Sequence, residues 1–163
     1  MDIMQWLTQT GGGEAIFTAL VSMLPVVELR GGLPFGVSMG LPLIVAFFAS
    51  VIGNMIPVPF IVVYIRRIFE WMRKRMPRFN HLVDRMEKKA HLKGQTVMKY
   101  RFWGLLILVA IPLPGTGAWT GALVAALLNM RLREAIPAIL VGVLIAGLII
   151  SVVTYGVTAL LVI

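Results

Sequence analysis

Cysteine is absent from this chain of 163 residues, and only seven residues are aspartate or glutamate. The lack of cysteine excludes disulfides, thiolate metal sites and cysteine nucleophiles. The two histidines, His81 and His91, lie ten residues apart in one basic stretch, which is not the tight spacing of a metal site and leaves no serine–histidine–acid arrangement. We therefore expect no catalytic residue, no metal and no cofactor, and we predict that the protein is not an enzyme.

Charged residues of either sign are also few. They make up 13% of the chain, against roughly 25% in an average soluble domain. Hydrophobic residues make up 59%, and the mean hydropathy is +0.91. This composition indicates an integral membrane protein, and the length predicts a single membrane domain, residues 1–163. The first basic residue is Arg30, so we expect no cleaved signal peptide with a positive amino-terminal region.

The positive charge is concentrated in one block. Twelve of the fifteen lysines and arginines lie at 66–101, together with three acids. Because apolar segments flank the block, the positive-inside rule places it in the cytoplasm, and we expect no nucleic acid partner. We predict two short helices separated at Pro77. The second is amphipathic and lies on anionic lipid headgroups, with an apolar face at Phe79, Leu82, Val83, Met86 and Ala90. A basic gate or a headgroup receptor is the alternative.

Apolar runs and helix breakers divide the chain into segments. We predict an interfacial segment at 1–14, a re-entrant helical hairpin at 15–41, a transmembrane helix at 42–65, the cytoplasmic block at 66–101, a second re-entrant hairpin at 102–129 and a transmembrane helix at 135–162. The first hairpin arm, residues 15–24, would rise about 15 Å as a helix, half of the roughly 30 Å hydrocarbon core. We read the glycines at 11–13 as a hinge and 33–41 as the returning arm.

The two halves therefore share one plan, a short hairpin followed by a full span. Arg131 and Arg133 fall on the cytoplasmic side only if the second hairpin is re-entrant. Counting membrane crossings in the same way, we predict that the first hairpin enters from the outside. We predict an all-α fold with inverted-topology repeats, in which two hairpins from opposite faces meet near the bilayer midplane. Two spans and two hairpins make a thin wall around a polar cavity, so we expect a homo-oligomer, of which a dimer is the simplest form.

Candidate site residues lie at the tips of the two hairpins. Irregular backbone at membrane depth survives only where protein or a water-filled cavity surrounds it, and ionisable residues there mark a pathway or relay. We predict that Glu28 carries the coupling proton. We predict substrate contacts at Glu28, Arg30, Gly31, Gly32, Pro112, Pro114, Gly115, Thr116, Gly117 and Trp119. The alternative for the charged pair is a structural ion pair that pins the first tip.

Two motifs carry a family resemblance. Glu28-Leu-Arg-Gly-Gly-Leu-Pro34 and Ile111-Pro-Leu-Pro-Gly-Thr-Gly-Ala-Trp-Thr-Gly121 resemble the signatures of the small multidrug export family, over nearly the whole chain. That family in turn resembles the DedA or SNARE-associated (VTT) superfamily, whose members are inverted-repeat proteins with two opposed re-entrant hairpins. Some of them move polyprenyl-phosphate lipids. DedA proteins carry arginines around the second tip, whereas this chain has none between Ile111 and Gly121.

The resemblance implies a small secondary transporter in the cytoplasmic (inner) membrane, proton-coupled, that moves a small molecule or a lipid. Two alternatives stay open. One is a DedA-like flippase for a polyprenyl-phosphate or another anionic lipid. The other is a non-transporting membrane scaffold that acts through the basic loop.

The predicted topology is testable by labelling, because a chain without native cysteine accepts single cysteines at chosen sites. Cysteines near Lys88 and in the link at 129–133 should react only from the cytoplasmic side. Those at 11–13 and at Ile163 should react only from outside. A cysteine at residue 130 that reacts only from outside would eliminate the second re-entrant hairpin.

Overall fold

The structure, a computed structural model, describes residues 10–75, 80–100, 102–113 and 115–161. Residues 1–9, Pro77, Pro114 and the end of the predicted second span lie outside the described residues. Within them the chain is helical and has no strand, which confirms the all-α prediction. The helices are α1 (Gly11–Ser22), α2 (Glu28–Ser38), α3 (Leu43–Met55), α4 (Pro57–Arg75), α5 (Asn80–Tyr100), α6 (Phe102–Ala110), α7 (Ala118–Leu127) and α8 (Leu132–Leu161).

The chain divides into two compact units. The first unit comprises Met1–Pro57 and Val143–Ile163, and the second comprises Val58–Gly142. The first therefore holds α1, α2, α3 and the later part of α8, and the second holds the remaining helices. Each unit is described by itself below.

Small residues bring the three helices of the first unit into close contact. Helices α1, α2 and α3 each pack against the other two. A Cβ atom on Gly36 would lie 2.8 Å from Thr18 Oγ1 and 3.1 Å from Ala46 Cβ. A Cβ atom on Gly53 would lie 2.7 Å from Ala19 Cα. Real Cβ atoms do not approach backbone atoms so closely, so these crossings depend on glycine, as in other membrane helices that pack through small residues.

The second unit is built on the second hairpin. Helices α6 and α7 pack against each other, and α5 packs against both. On α5, Val83 is fully buried, whereas Asp84, Arg85, Lys88 and Lys89 are exposed. The amphipathic character predicted for this helix is confirmed at these positions. Met86, on the predicted apolar face, is exposed, and the contact of this face with anionic lipid stays a prediction.

The basic block differs from the expectation of two short helices. Its first part continues α4, which runs without interruption from Pro57 to Arg75. Its second part, α5, has 21 residues. Proline is tolerated at the start of α4, because the first N–H groups of a helix have no partner within that helix.

Two stretches are long and apolar enough to cross a membrane, by length and composition, Leu43–Ile65 with 23 residues and Leu132–Gly156 with 25. Only 39% of each is buried inside the protein. Large apolar side chains are exposed along both, among them Ile44, Phe48, Ile52, Phe60, Leu148 and Val152. Such surfaces favour lipid over water as the neighbour. The prediction of a multi-pass membrane protein agrees with this pattern. The first stretch is interrupted between Met55 and Pro57.

The first hairpin has different bounds from those predicted. The glycines at 11–13 form the first turn of α1, so the predicted hinge is wrong. Thr10 caps this helix, because its hydroxyl accepts from the Gly13 N–H at 3.1 Å, and Glu14 adds an acid to the first turn. The returning helix begins at Glu28, five residues before Leu33, and continues through Pro34.

In outline, both hairpins are present. Helices α1 and α2 pack against each other across a tip at 23–27, and α6 and α7 do so across a tip at 111–117. In the second hairpin the arms predicted at 102–111 and 118–128 correspond to helices that end one residue earlier. The re-entrant course and the inverted repeat stay predictions.

The close packing at Gly53 generates a stability prediction. Gly53→Ala should destabilise the protein by about 1–3 kcal/mol, because the added methyl group meets the backbone of α1. Gly12→Ala is the matched control, since nothing lies within 4 Å of a Cβ there and alanine favours a helix over glycine. The measurement is the temperature at which half of the purified protein remains monodisperse on size-exclusion chromatography. An equal temperature for the two variants would show that the crossing tolerates a side chain.

Candidate functional site

Glu28 has the most unusual surroundings of the predicted site residues. It is the first residue of α2, its exposed fraction is 6%, and its φ is 51°. Its N–H donates to the Leu24 carbonyl at 2.9 Å. Residues other than glycine seldom adopt this left-handed conformation, which persists only where the surroundings enforce it, often at functional sites. A buried acid in such a conformation marks the first tip as the candidate site.

Two positive features lie beside the Glu28 carboxylate. The amino-terminal end of α2 carries the positive end of the helix dipole. Arg30, two residues along the chain and half-buried, interacts electrostatically with Glu28. Both features therefore attract the Glu28 carboxylate, which is an acid of the protein and not of a substrate. We had expected this helix, the returning arm, to begin at Leu33, so that Glu28 would lie outside it.

Gly31 and Gly32 lie in the first turns of α2 and not in irregular backbone. A Cβ atom on Gly32 would lie 2.9 Å from Ser22 Cβ, and one on Gly31 would meet the Val27 side chain. Gly32 therefore lets the two arms of the first hairpin approach each other. The structure gives these glycines a packing role, and their predicted contact with a substrate stays a prediction.

Hydroxyl groups of its own residues organise the second tip. Thr116 Oγ1 accepts a hydrogen bond from the Leu113 N–H at 3.2 Å. Its hydroxyl also lies 2.7 Å from the Leu113 carbonyl oxygen and 2.8 Å from the Ile111 carbonyl oxygen, and it donates to one of these two. The Thr120 hydroxyl donates to the Gly115 carbonyl at 3.1 Å. Gly117, with φ of 127°, adopts a conformation that favours glycine just before α7.

The other predicted residues of the second tip differ in burial. Gly117 is buried, Pro112 and Trp119 are half-buried, Gly115 is exposed, and Pro114 lies outside the described residues. The stretch from Ile111 to Gly121 has no charged side chain. Glu28 and Arg30 belong to the first unit and the second tip belongs to the second unit. A single site formed by both tips stays a prediction.

Sequence reasoning missed three buried polar residues of the first unit. Thr18 and Ser50 have no exposed surface and Asn54 has 2%. In the part of the chain that the structure describes, Thr18 Oγ1, Ser50 Oγ and Asn54 Oδ1 have no hydrogen-bond partner. A signal was available, because Ser50 and Asn54 are one helical turn apart in an otherwise apolar segment.

Across the described residues, no group of three or more histidine, cysteine, aspartate or glutamate side chains comes together in a way that would hold a metal ion. The chemistry of the described site is therefore that of one buried acid, one half-buried base and neutral oxygens.

Comparison with known proteins identifies one family. The family described as "Putative small multi-drug export protein" matches residues 28–149. The match begins at Glu28, the first residue of α2, and includes the second tip. No curated protein and no solved structure matches the chain.

Proposed function

We propose that this chain, which belongs to the small multidrug export family, is a small secondary transporter that couples substrate movement to protons through Glu28. The observation that carries the proposal is the buried Glu28 carboxyl group in a left-handed backbone conformation beside Arg30. The exported substrate is a small molecule, and the membrane is the cytoplasmic (inner) membrane with the basic loop in the cytoplasm.

The distribution of acids supports Glu28 as the coupling residue. The chain has seven acidic residues, and Glu28 is the buried one among those whose side chains the structure describes. An ionisable residue inside the membrane region of a protein has a high cost in free energy. By default such a residue is part of a substrate pathway or a proton relay. A carboxyl group can bind and release a proton without any metal or cofactor.

Arg30 supplies the second half of the proposed mechanism. Its guanidinium group is planar and offers several donors, which suits an anionic group of a substrate. While Glu28 is charged, it attracts Arg30. Protonation of Glu28 removes that attraction, so that Arg30 and the positive end of α2 become available to the substrate. Proton binding and substrate binding are thereby coupled through one shared charge.

The second tip supplies the remaining substrate contacts in this proposal. Its backbone is held by Thr116 and by glycines, so carbonyl and amide groups are fixed without a charged side chain. A neutral, rigid tip of this kind suits the uncharged part of a small molecule, with Trp119 as an apolar surface. A homodimer would complete the wall around such a polar region.

The test is Glu28→Gln, which keeps the shape of the side chain and fixes its neutral state. Substrate flux into proteoliposomes, measured at several internal and external pH values, should lose its dependence on the proton gradient. Glu28→Asp should keep coupling with a shifted pH profile. Glu14→Gln is the matched control, because Glu14 is an acid of the same hairpin that lies outside the tip.

Size-exclusion chromatography checks that each variant is folded. Coupling resides elsewhere if the Glu28→Gln protein still accumulates substrate against its gradient when only protons drive it. A membrane scaffold would show a different pattern, namely insensitivity at Glu28 and sensitivity in the basic block at 66–101.

A further inference from the structure

Three side-chain oxygens in the first unit have no partner among the described residues, on Thr18, Ser50 and Asn54. Each of these residues is at least nine-tenths buried. An unsatisfied buried acceptor costs about 1–3 kcal/mol. Other buried hydroxyls in the same unit avoid that cost, since Ser22 donates to the Thr18 carbonyl at 2.8 Å and Ser151 donates to the Gly147 carbonyl at 2.7 Å.

The unpartnered oxygens of α3 lie on its packed face. Residues three or four apart share a face of a helix, and the buried small and polar residues of α3 have that spacing, namely Ala46, Ser50, Gly53 and Asn54. Ser50 lies between the other small residues of this face, with Asn54 one turn beyond it. The face therefore carries two oxygens toward the neighbouring helices.

Helix α1 brings the third oxygen to the same face. Thr18 and Ala46 both lie against Gly36, because a Cβ there would be 2.8 Å from Thr18 Oγ1 and 3.1 Å from Ala46 Cβ. The next residue, Ala19, lies with its backbone against Gly53. Thr18 and Ala19 therefore lie against the part of α3 between Ala46 and Gly53, which contains Ser50. Thr18 and Ser50 thus lie near one crossing of α1 and α3, and Asn54 lies one helical turn beyond Ser50.

The prolines that follow α3 add backbone carbonyl oxygens at the carboxyl-terminal end of this helix. Proline has no N–H, so Pro57 cannot donate the usual helical bond to the Gly53 carbonyl, and Pro59 cannot donate to that of Met55. The helix ends at Met55, where its dipole is negative. Carbonyl groups at the ends of interrupted helices are known to coordinate small cations in membrane proteins.

We propose that Thr18, Ser50 and Asn54, together with the carbonyl end of α3, form a binding site for a monovalent metal cation, with sodium as the expected ion. The donor set is hydroxyl, amide and carbonyl oxygen, which hard cations prefer. None of these donors carries a formal charge, which favours a single positive charge over a divalent ion. The close helix contacts at Gly36 and Gly53 suit a small ion.

The site would connect α1 directly to α3. A bound ion would hold the first hairpin against the first membrane span, and its release would remove three of the links between them. This role is independent of proton coupling at Glu28, because it uses different residues and a different ion.

Binding of radioactive sodium to the purified full-length protein, measured by scintillation proximity, tests the proposal without any transported substrate. The wild type should bind sodium in a saturable manner. Unlabelled sodium chloride should displace it, and choline chloride at equal ionic strength should not. Ser50→Ala and Thr18→Val should each weaken binding about tenfold or more, as expected when one oxygen ligand is lost. Ser151→Ala is the matched control, a buried serine whose hydroxyl already has a partner.

The proposal is wrong if the wild type shows no saturable sodium binding, which is the result if the three oxygens only bind water. It is also wrong if Ser50→Ala binds sodium as tightly as Ser151→Ala does. If a variant fails to give a monodisperse protein, the cation competition series on the wild type still decides the question. Neither result depends on whether Glu28 couples protons.

Discussion

A polar group inside a bilayer needs a partner within the protein, because leaving it without one costs several kcal/mol of free energy. This constraint accounts for most of the unusual geometry in the chain. Ser22 and Ser151 donate to carbonyl groups one turn earlier, and Thr116 satisfies the backbone of its own tip. Glu28 lies at the positive end of α2 beside Arg30. The oxygens of Thr18, Ser50 and Asn54 stand apart from this pattern among the described residues, which is why they carry the inference of an ion site.

Close helix packing in turn places these groups. Gly36 and Gly53 let α1, α2 and α3 approach until side chains and backbone are in contact. Such packing stabilises the association of the helices, because the hydrophobic effect is weak between helices surrounded by lipid tails. It also buries the polar side chains of Thr18, Ser50 and Asn54, and a buried polar group is costly without a partner.

Much of this architecture follows from the sequence where breakers cluster. Prolines and glycines at 112–117 fixed the bounds of the second hairpin to within one residue. The same reading failed in the first hairpin, because Gly31, Gly32 and Pro34 are helical there and Gly32 serves helix packing. The positive φ of Glu28 was not predictable, since glutamate has little preference for it. The burial of Thr18 and Ser50 depends on contacts between helices that periodicity alone does not define.

The most direct test of the central claim is reconstitution of the wild-type protein into liposomes with a panel of candidate small molecules and an imposed pH gradient. The account predicts that at least one compound accumulates against its own gradient while the proton gradient lasts, and that a protonophore abolishes the accumulation. If no compound moves, although the reconstituted protein is folded and inserted, the chain is not a proton-coupled transporter of small molecules.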